Sequence, residues 1–214
     1  MNEFSQAGHK LRCSPLAWLK WQYLCHAGPT EVASFGVSSP FDPLYLEDVL
    51  VIDQRATPST VSFEDAAVAD LFDRMADLKI PPHRFGRVWL HTHPGASPNP
   101  SAVDEATFKR VFIGCDWSVM AILSRTSATY ARIQFSAGPG GSFEIPIVVD
   151  WQNWPHTTSL DSALAQWRQE YERHVKPSTF DFWEDLDDEP TEVLSETIHP
   201  DLLTWGDFLD YRFR

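Results

Sequence analysis

Cysteine is scarce in this chain: three residues in 214, Cys13, Cys25 and Cys115, none of them in a Cys-x-x-Cys pair. An odd number without that spacing argues against both a disulfide framework and a thiolate metal site. Long apolar runs are missing too. No stretch approaches the length that crosses a bilayer, and the first residues are polar where a secretory leader would be apolar. A cytosolic location is the expectation. Positive charge is in deficit, with 17 Lys and Arg against 30 Asp and Glu and a net charge of −13. That balance disfavours nucleic acid and anionic membranes as partners. Most of the acidity sits at the end, where residues 178–214 hold eleven acids and two arginines. No internal repeat is visible.

What is present is enough for a core. A 214-residue chain with 43% hydrophobic residues fits one domain plus an appendage, here residues 1–150 and 151–214. Residues 15–27 read as an amphipathic helix that stops at Gly28-Pro29, and residues 49–52 read as a strand. Val61-Ser62-Phe63 introduces a helix over about 64–78, with Ala67, Leu71, Met75 and Leu78 on one face. A strand at 87–91 is followed by a helix at 102–113. Strands at 117–124, 129–136 and 142–149 follow, with residues 137–141 as a Gly-rich hairpin loop. The order predicts an α/β sandwich with a mixed sheet. A final helix at 160–174 carries Leu160, Leu164, Trp167 and Tyr171 on one stripe and is expected to pack back on the domain. Beyond it, residues 182–189 are aromatic and acidic, suited either to a basic partner or to solvent.

The chemistry concentrates in residues 91–104, His-Thr-His-Pro-Gly-Ala-Ser-Pro-Asn-Pro-Ser-Ala-Val-Asp. His91 and His93 follow Val88-Trp89-Leu90, and residues two apart on a strand point to the same face, so both rings can grip one ion. Two histidines beside apolar neighbours are a costly buried pair unless something binds them. A catalytic zinc takes three protein ligands and keeps an open position, and Asp104 is the nearest carboxylate that can supply the third. Pro94, Gly95, Pro98, Asn99 and Pro100 force a turn, after which Ala102 opens a helix with Asp104 in its first turn. Ser101 to Asp104 is also what an ordinary helix start looks like. His9, His26, His83, His156, His174 and His199 lack ligand spacing, and Cys115 is not needed as a nucleophile.

His-x-His-Pro, six residues, then Ser-x-x-Asp, realised as His91, His93, Pro94, Ser101 and Asp104, resembles the signature of the JAB/MPN metalloproteases, whose zinc motif is called JAMM. That family also carries an upstream glutamate in a pattern like Glu-Val-x-Gly-Phe. Glu31-Val32-Ala33-Ser34-Phe35 is similar, with Ser34 where relatives usually have glycine. The resemblance covers about residues 10–150. It implies an MPN-like, cytidine-deaminase-like sheet sandwiched by helices, with a C-terminal helical and acidic extension. It also implies one catalytic Zn2+ on His91, His93 and Asp104, Glu31 as general base and acid, and Ser101 as donor to the developing oxyanion.

The activity it implies is an isopeptidase or peptidase that cleaves after the C-terminal glycine of ubiquitin or a ubiquitin-like protein. Small standalone relatives occur in bacteria beside ubiquitin-like proteins and their activating and conjugating enzymes, some in antiviral defence. Two other functions stay open: a non-catalytic scaffold that binds ubiquitin-like tails, and a zinc peptidase acting on a sulfur-carrier protein. In deubiquitinating relatives, insertions near residues 38–47 and 79–84 help hold the ubiquitin tail. Those two loops are therefore expected to shape substrate choice or else to be packed surface loops.

Overall fold

The computed structural model describes residues 8–155 and 159–178. Strand β1 (Leu11–Cys13) leads into helix α1 (Pro15–His26), then β2 (Ala33–Ser38), β3 (Tyr45–Leu50), β4 (Gln54–Ala56) and β5 (Val61–Phe63). Helix α2 (Asp65–Asp77), β6 (Val88–His93), α3 (Ala102–Phe112), β7 (Trp117–Ser124) and β8 (Thr129–Phe135) follow. The chain continues with β9 (Gly141–Glu144), β10 (Ile147–Val149), α4 (Leu160–His174) and β11 (Val175–Pro177). Eight strands form one mixed sheet in the order β10-β1-β3-β2-β6-β7-β8-β9, and β11-β4-β5 form a second. The expected mixed α/β architecture is therefore present.

Alternation along the strands separates two cores. Val88 and Leu90 of β6, with Val119, Ala121 and Leu123 of β7, bury against Trp21 and Leu24 of α1. Trp89, Met120, Ile122 and Phe35 project into the other core, with Leu71 and Met75 of α2 and Phe108 and Phe112 of α3. The start of α1 is set locally: Pro15 opens it, and the Ser14 hydroxyl accepts the Ala17 amide at 3.1 Å. Gly36 lets β2 lie close to its neighbours, because a Cβ there would stand 2.8 Å from Leu46 and 3.2 Å from Val88. The segment after residue 150 is joined to the rest at several points. Trp167 of α4 packs near Tyr23 of α1, and β11 pairs in parallel with β4.

Several expectations change. The strand placed at 49–52 runs at Tyr45–Leu50 instead, so the 38–47 segment is the turn at 39–44 with the flanking ends of the antiparallel pair β2–β3. Val61–Phe63 forms strand β5, not a helix lead-in. The strand expected at 142–149 breaks at Pro146: β9 pairs with β8, whereas β10 crosses to pair with β1. The α4 stripe is only half used, because Trp167 is buried while Leu160 and Leu164 are exposed. The 182–189 segment, His156 and His199 lie outside the described residues. Among the described residues, no helix is long and apolar enough to cross a membrane.

Candidate metal centre

Strand β6 sits between antiparallel β2 and parallel β7, and the chain leaves its carboxyl end through residues 94–101 before returning along α3. Side chains at the carboxyl end of a parallel strand project into a crevice that the following helix can reach. His91 and His93 occupy that end on the Trp89 face, and the Trp89 ring stacks on His91 at 4.5 Å between centroids. Ser101 caps α3. Its hydroxyl accepts the Asp104 amide at 3.2 Å, and the Asp104 carboxylate accepts the Ser101 amide at 2.7 Å. This capping box fixes the Asp104 carboxylate in the helix's first turn, where the backbone amides favour negative charge. The bland and the chemical readings of Ser101 and Asp104 thus coincide.

The three candidate ligands meet. Nε2 of His91 lies 3.1 Å from Nε2 of His93, and these atoms stand 3.3 and 3.5 Å from the two Asp104 oxygens. His91 is fully buried and Asp104 nearly so. The Nδ1 of His93 is 3.0 Å from the Ser97 carbonyl, which requires a proton there, so Nε2 carries a lone pair in the neutral ring and donates toward Asp104 when the ring is protonated on both nitrogens. His91 has no partner for Nδ1 among the described residues, so its polar contacts all run through Nε2 toward the cluster. Donors around a tetrahedral ion at about 2.0–2.1 Å stand about 3.3 Å apart, which is the spacing of this set. His91, His93 and Asp104 therefore fit a metal ion.

Glu31 stands just before β2 and is also buried, with Oε1 3.9 Å from Nε2 of His93. Burial pushes its carboxyl up to about 7, with the Asp104 charge adding to the effect and His93 opposing it. Burial lowers His91. For His93 burial acts downward as well, but the Asp104 hydrogen bond, the Ser97 carbonyl and the nearby carboxylates outweigh it and raise the ring. Asp104 is pushed up by burial, yet its bonds to His91 and His93 and to the Ser101 amide hold it well below the usual carboxylate range. The cluster thus holds one firmly ionised carboxylate beside one that exchanges a proton near neutrality. That pairing suits Asp104 to holding a cation and Glu31 to exchanging a proton.

The structure brings together all five residues singled out from the sequence, although Ser101 remains exposed at the rim. Its hydroxyl accepts from Asp104, so its own proton is available to a further acceptor. The two loops lie together at the other end of β2. Residues 38–47 and 79–84 are tied to each other by Arg84, which bonds the Ser38 carbonyl and Glu47. Ser38 closes β2 at the end opposite Glu31, and residues 79–84 precede the amino end of β6. At about 3.3 Å per residue, Ser38 is roughly 20 Å along the strand from Glu31. The metal end is instead bordered by the β4–β5 turn, where the Glu31 amide donates to Thr57 at 2.9 Å. It is also bordered by the β7–β8 turn, where the Arg125 amide donates to the His93 and Gly95 carbonyls.

Supporting residues without a sequence signal surround the site. Gln54, Thr57, Thr92 and Arg125 act through backbone carbonyls and amides, which carry no spacing pattern. Among the described residues, His174 pairs with Asp53 at 2.6 Å, and His9 packs against Phe143 in a T-shaped contact. All three cysteines are buried, and burial pushes the thiols of Cys13 and Cys25 up to about 12 and about 11, far from a reactive thiolate. No protein-family model matches the chain, and no curated protein matches it either.

Proposed function

We propose that this protein is a zinc peptidase of the JAB/MPN type, with that family's sandwich fold, which cleaves after the C-terminal glycine of ubiquitin or a ubiquitin-like protein. The observation that carries the reading is the meeting of Glu31 with His91, His93 and Asp104 from three separate stretches of chain, in the arrangement the motif implies. Two imidazoles and one carboxylate suit zinc better than the all-oxygen sets preferred by magnesium or calcium. Zinc held by His91, His93 and Asp104 would supply Lewis acidity toward a carbonyl and toward water. Glu31, with a carboxyl titrating near 7, is suited to take a proton from the attacking water and to deliver it to the departing amine. The free proton of the Ser101 hydroxyl can be donated to the oxygen that gains negative charge.

The test uses zinc-loaded protein with linear diubiquitin, a lysine-linked diubiquitin, and a bacterial ubiquitin-like protein fused through a Gly-Gly end. Cleavage after the glycine by the wild type, with little or none by Glu31→Gln, is the expected result. A wild type that cleaves none of them, or a Glu31→Gln variant of equal activity, overturns the assignment. A non-catalytic scaffold would instead bind the ubiquitin-like tails and leave every bond intact.

A further inference from the structure

The ladder between β2 and β6 starts at Ala33 opposite His91, one peptide short of Val32 and two short of Glu31. Beyond that point the pairing is completed by a side chain. The Thr92 amide donates to the Val32 carbonyl at 3.0 Å, and the Thr92 hydroxyl accepts the Val32 amide at 3.0 Å. Both polar groups of Val32 are thus held by the residue that stands between the two histidine ligands. On a strand, residue 92 points to the face opposite 91 and 93, so its hydroxyl is aimed away from the metal cluster. The other flank of the segment is held by Gln54, whose amide imitates a neighbouring strand. Its Oε1 accepts the Ala33 amide at 2.8 Å, while Nε2 donates to the Ala33 carbonyl at 3.0 Å and to Ile52 at 2.9 Å. Thr92 and Gln54 are both buried, so no water competes for these bonds.

We propose that Thr92, backed by Gln54, is a positioning residue that sets the distance between the Glu31 carboxylate and the metal ligands. The inference deepens the peptidase reading and rests on it for its kinetic arm. Val32 is one peptide from Glu31, and Thr92 is one peptide from each histidine. The Thr92–Val32 pair is therefore the shortest hydrogen-bonded route between base and metal strand. A buried base displaced by about 1 Å can lose on the order of 100-fold in rate while the metal ligands stay intact. A Val side chain keeps the shape of Thr92 and removes the acceptor, whereas Ser keeps the acceptor and loses one methyl group.

The experiment compares wild type with Thr92→Val, Thr92→Ala and Thr92→Ser for zinc affinity by chelator competition, for the visible spectrum of the cobalt-loaded protein, and for kcat and KM on linear diubiquitin. For Val, or for Ala if Val does not fold, the expected results are zinc affinity within about threefold of wild type and KM within about twofold. The expected fall in kcat is about 10- to 100-fold, and Ser should recover most of it. The cobalt spectrum should shift in the direction produced by Glu31→Gln. Zinc affinity falling in step with kcat would overturn the proposal, because Thr92 would then support the ligands and not the base. A kcat within about twofold of wild type would overturn it as well. A wild type that cleaves nothing sinks the peptidase reading and leaves the cobalt spectrum to decide: a Thr92→Val spectrum superimposable on wild type overturns the positioning role, and one shifted like Glu31→Gln supports it.

Discussion

Nε2 of His91 and Nε2 of His93 face each other across 3.1 Å at the buried end of β6. Neutral His93 spends its proton on the Ser97 carbonyl, so its Nε2 offers a lone pair to this contact, and the Asp104 carboxylate adds negative charge to the same spot. Such a concentration of electron-rich atoms is stabilised by a cation.

Metal binding should therefore be measurable as stability. The purified protein is expected to hold one zinc equivalent, and His91→Ala or Asp104→Ala to hold almost none. A ligand present at a hundred times its dissociation constant adds about 2.7 kcal/mol to the folded state. For a chain of this size that raises Tm by roughly 5–10 °C, which a chelator should abolish. Equal Tm with and without chelator, in protein shown to start metal-loaded, would count against the site.

Glu31 makes a prediction with a sign. Its folded carboxyl is raised to about 7 from an ordinary value of 4.5. A raised folded value contributes stability at pH below the unfolded value, and that stability is lost as pH rises through the folded value. Metal-free Glu31→Gln is therefore expected to gain in Tm relative to wild type at pH 8, with little gain at pH 4. Activity runs the other way, because a base must be ionised. The rate should fall as pH drops through the Glu31 value, which a bound cation holds below that of the metal-free protein, and Glu31→Gln should lose at least about 100-fold. A wild-type profile that stays flat down to pH 4.5 would be inconsistent with this base.

On the peptidase reading, Ser101 has two duties that separate by substitution. Ser101→Ala removes the cap, costing about 1 kcal/mol of stability, and removes a donor worth about 10²–10³ in kcat. Ser101→Asp keeps an N-cap acceptor but not the hydroxyl donor. It should recover most of the Tm and none of the rate, with zinc still bound. Recovery of the rate by Asp would exclude the oxyanion role.

Lys20 tests the attachment of α4. It is buried in α1, and its ammonium bonds Glu170 of α4 at 2.7 Å and Asp48 at 3.4 Å. Glu170→Ala leaves a buried cation with one exposed partner and is expected to cost about 1–3 kcal/mol, whereas Lys20→Met, which removes the charge, should be near neutral. Urea denaturation of both variants distinguishes them, and equal destabilisation would show that packing, not charge, joins α4 to α1.

The helices α1, α2, α3 and α4 were legible because each carries a 3.6-residue apolar stripe or a start or stop signal, as Gly28-Pro29 and Ser101 do. The short strands β1, β4, β5 and β11 were not. Each has three residues and owes its conformation to a partner distant in sequence, as Val175–Pro177 does to Gln54–Ala56. Residues 142–149 read as one strand straight through Pro146, because only the pairing of Ile147–Val149 with Leu11–Cys13 reveals the break. The placement of residues 38–47 was hidden for a related reason: they are close to Glu31 in sequence, yet a strand of six residues carries them to the far end of the sheet.

The sequence by itself determined the donor set. His91 and His93 share a face because strand geometry alternates, and Asp104 lies in a helix's first turn because Ser101 caps it. These are local facts that need no fold. Tertiary structure alone decided that Glu31 joins them, because that contact depends on β2 lying antiparallel against β6 with Ala33 opposite His91. It also decided the environment: burial raises both carboxyls, and the bonds that His91, His93 and the Ser101 amide make to Asp104 are what separate its protonation from that of Glu31.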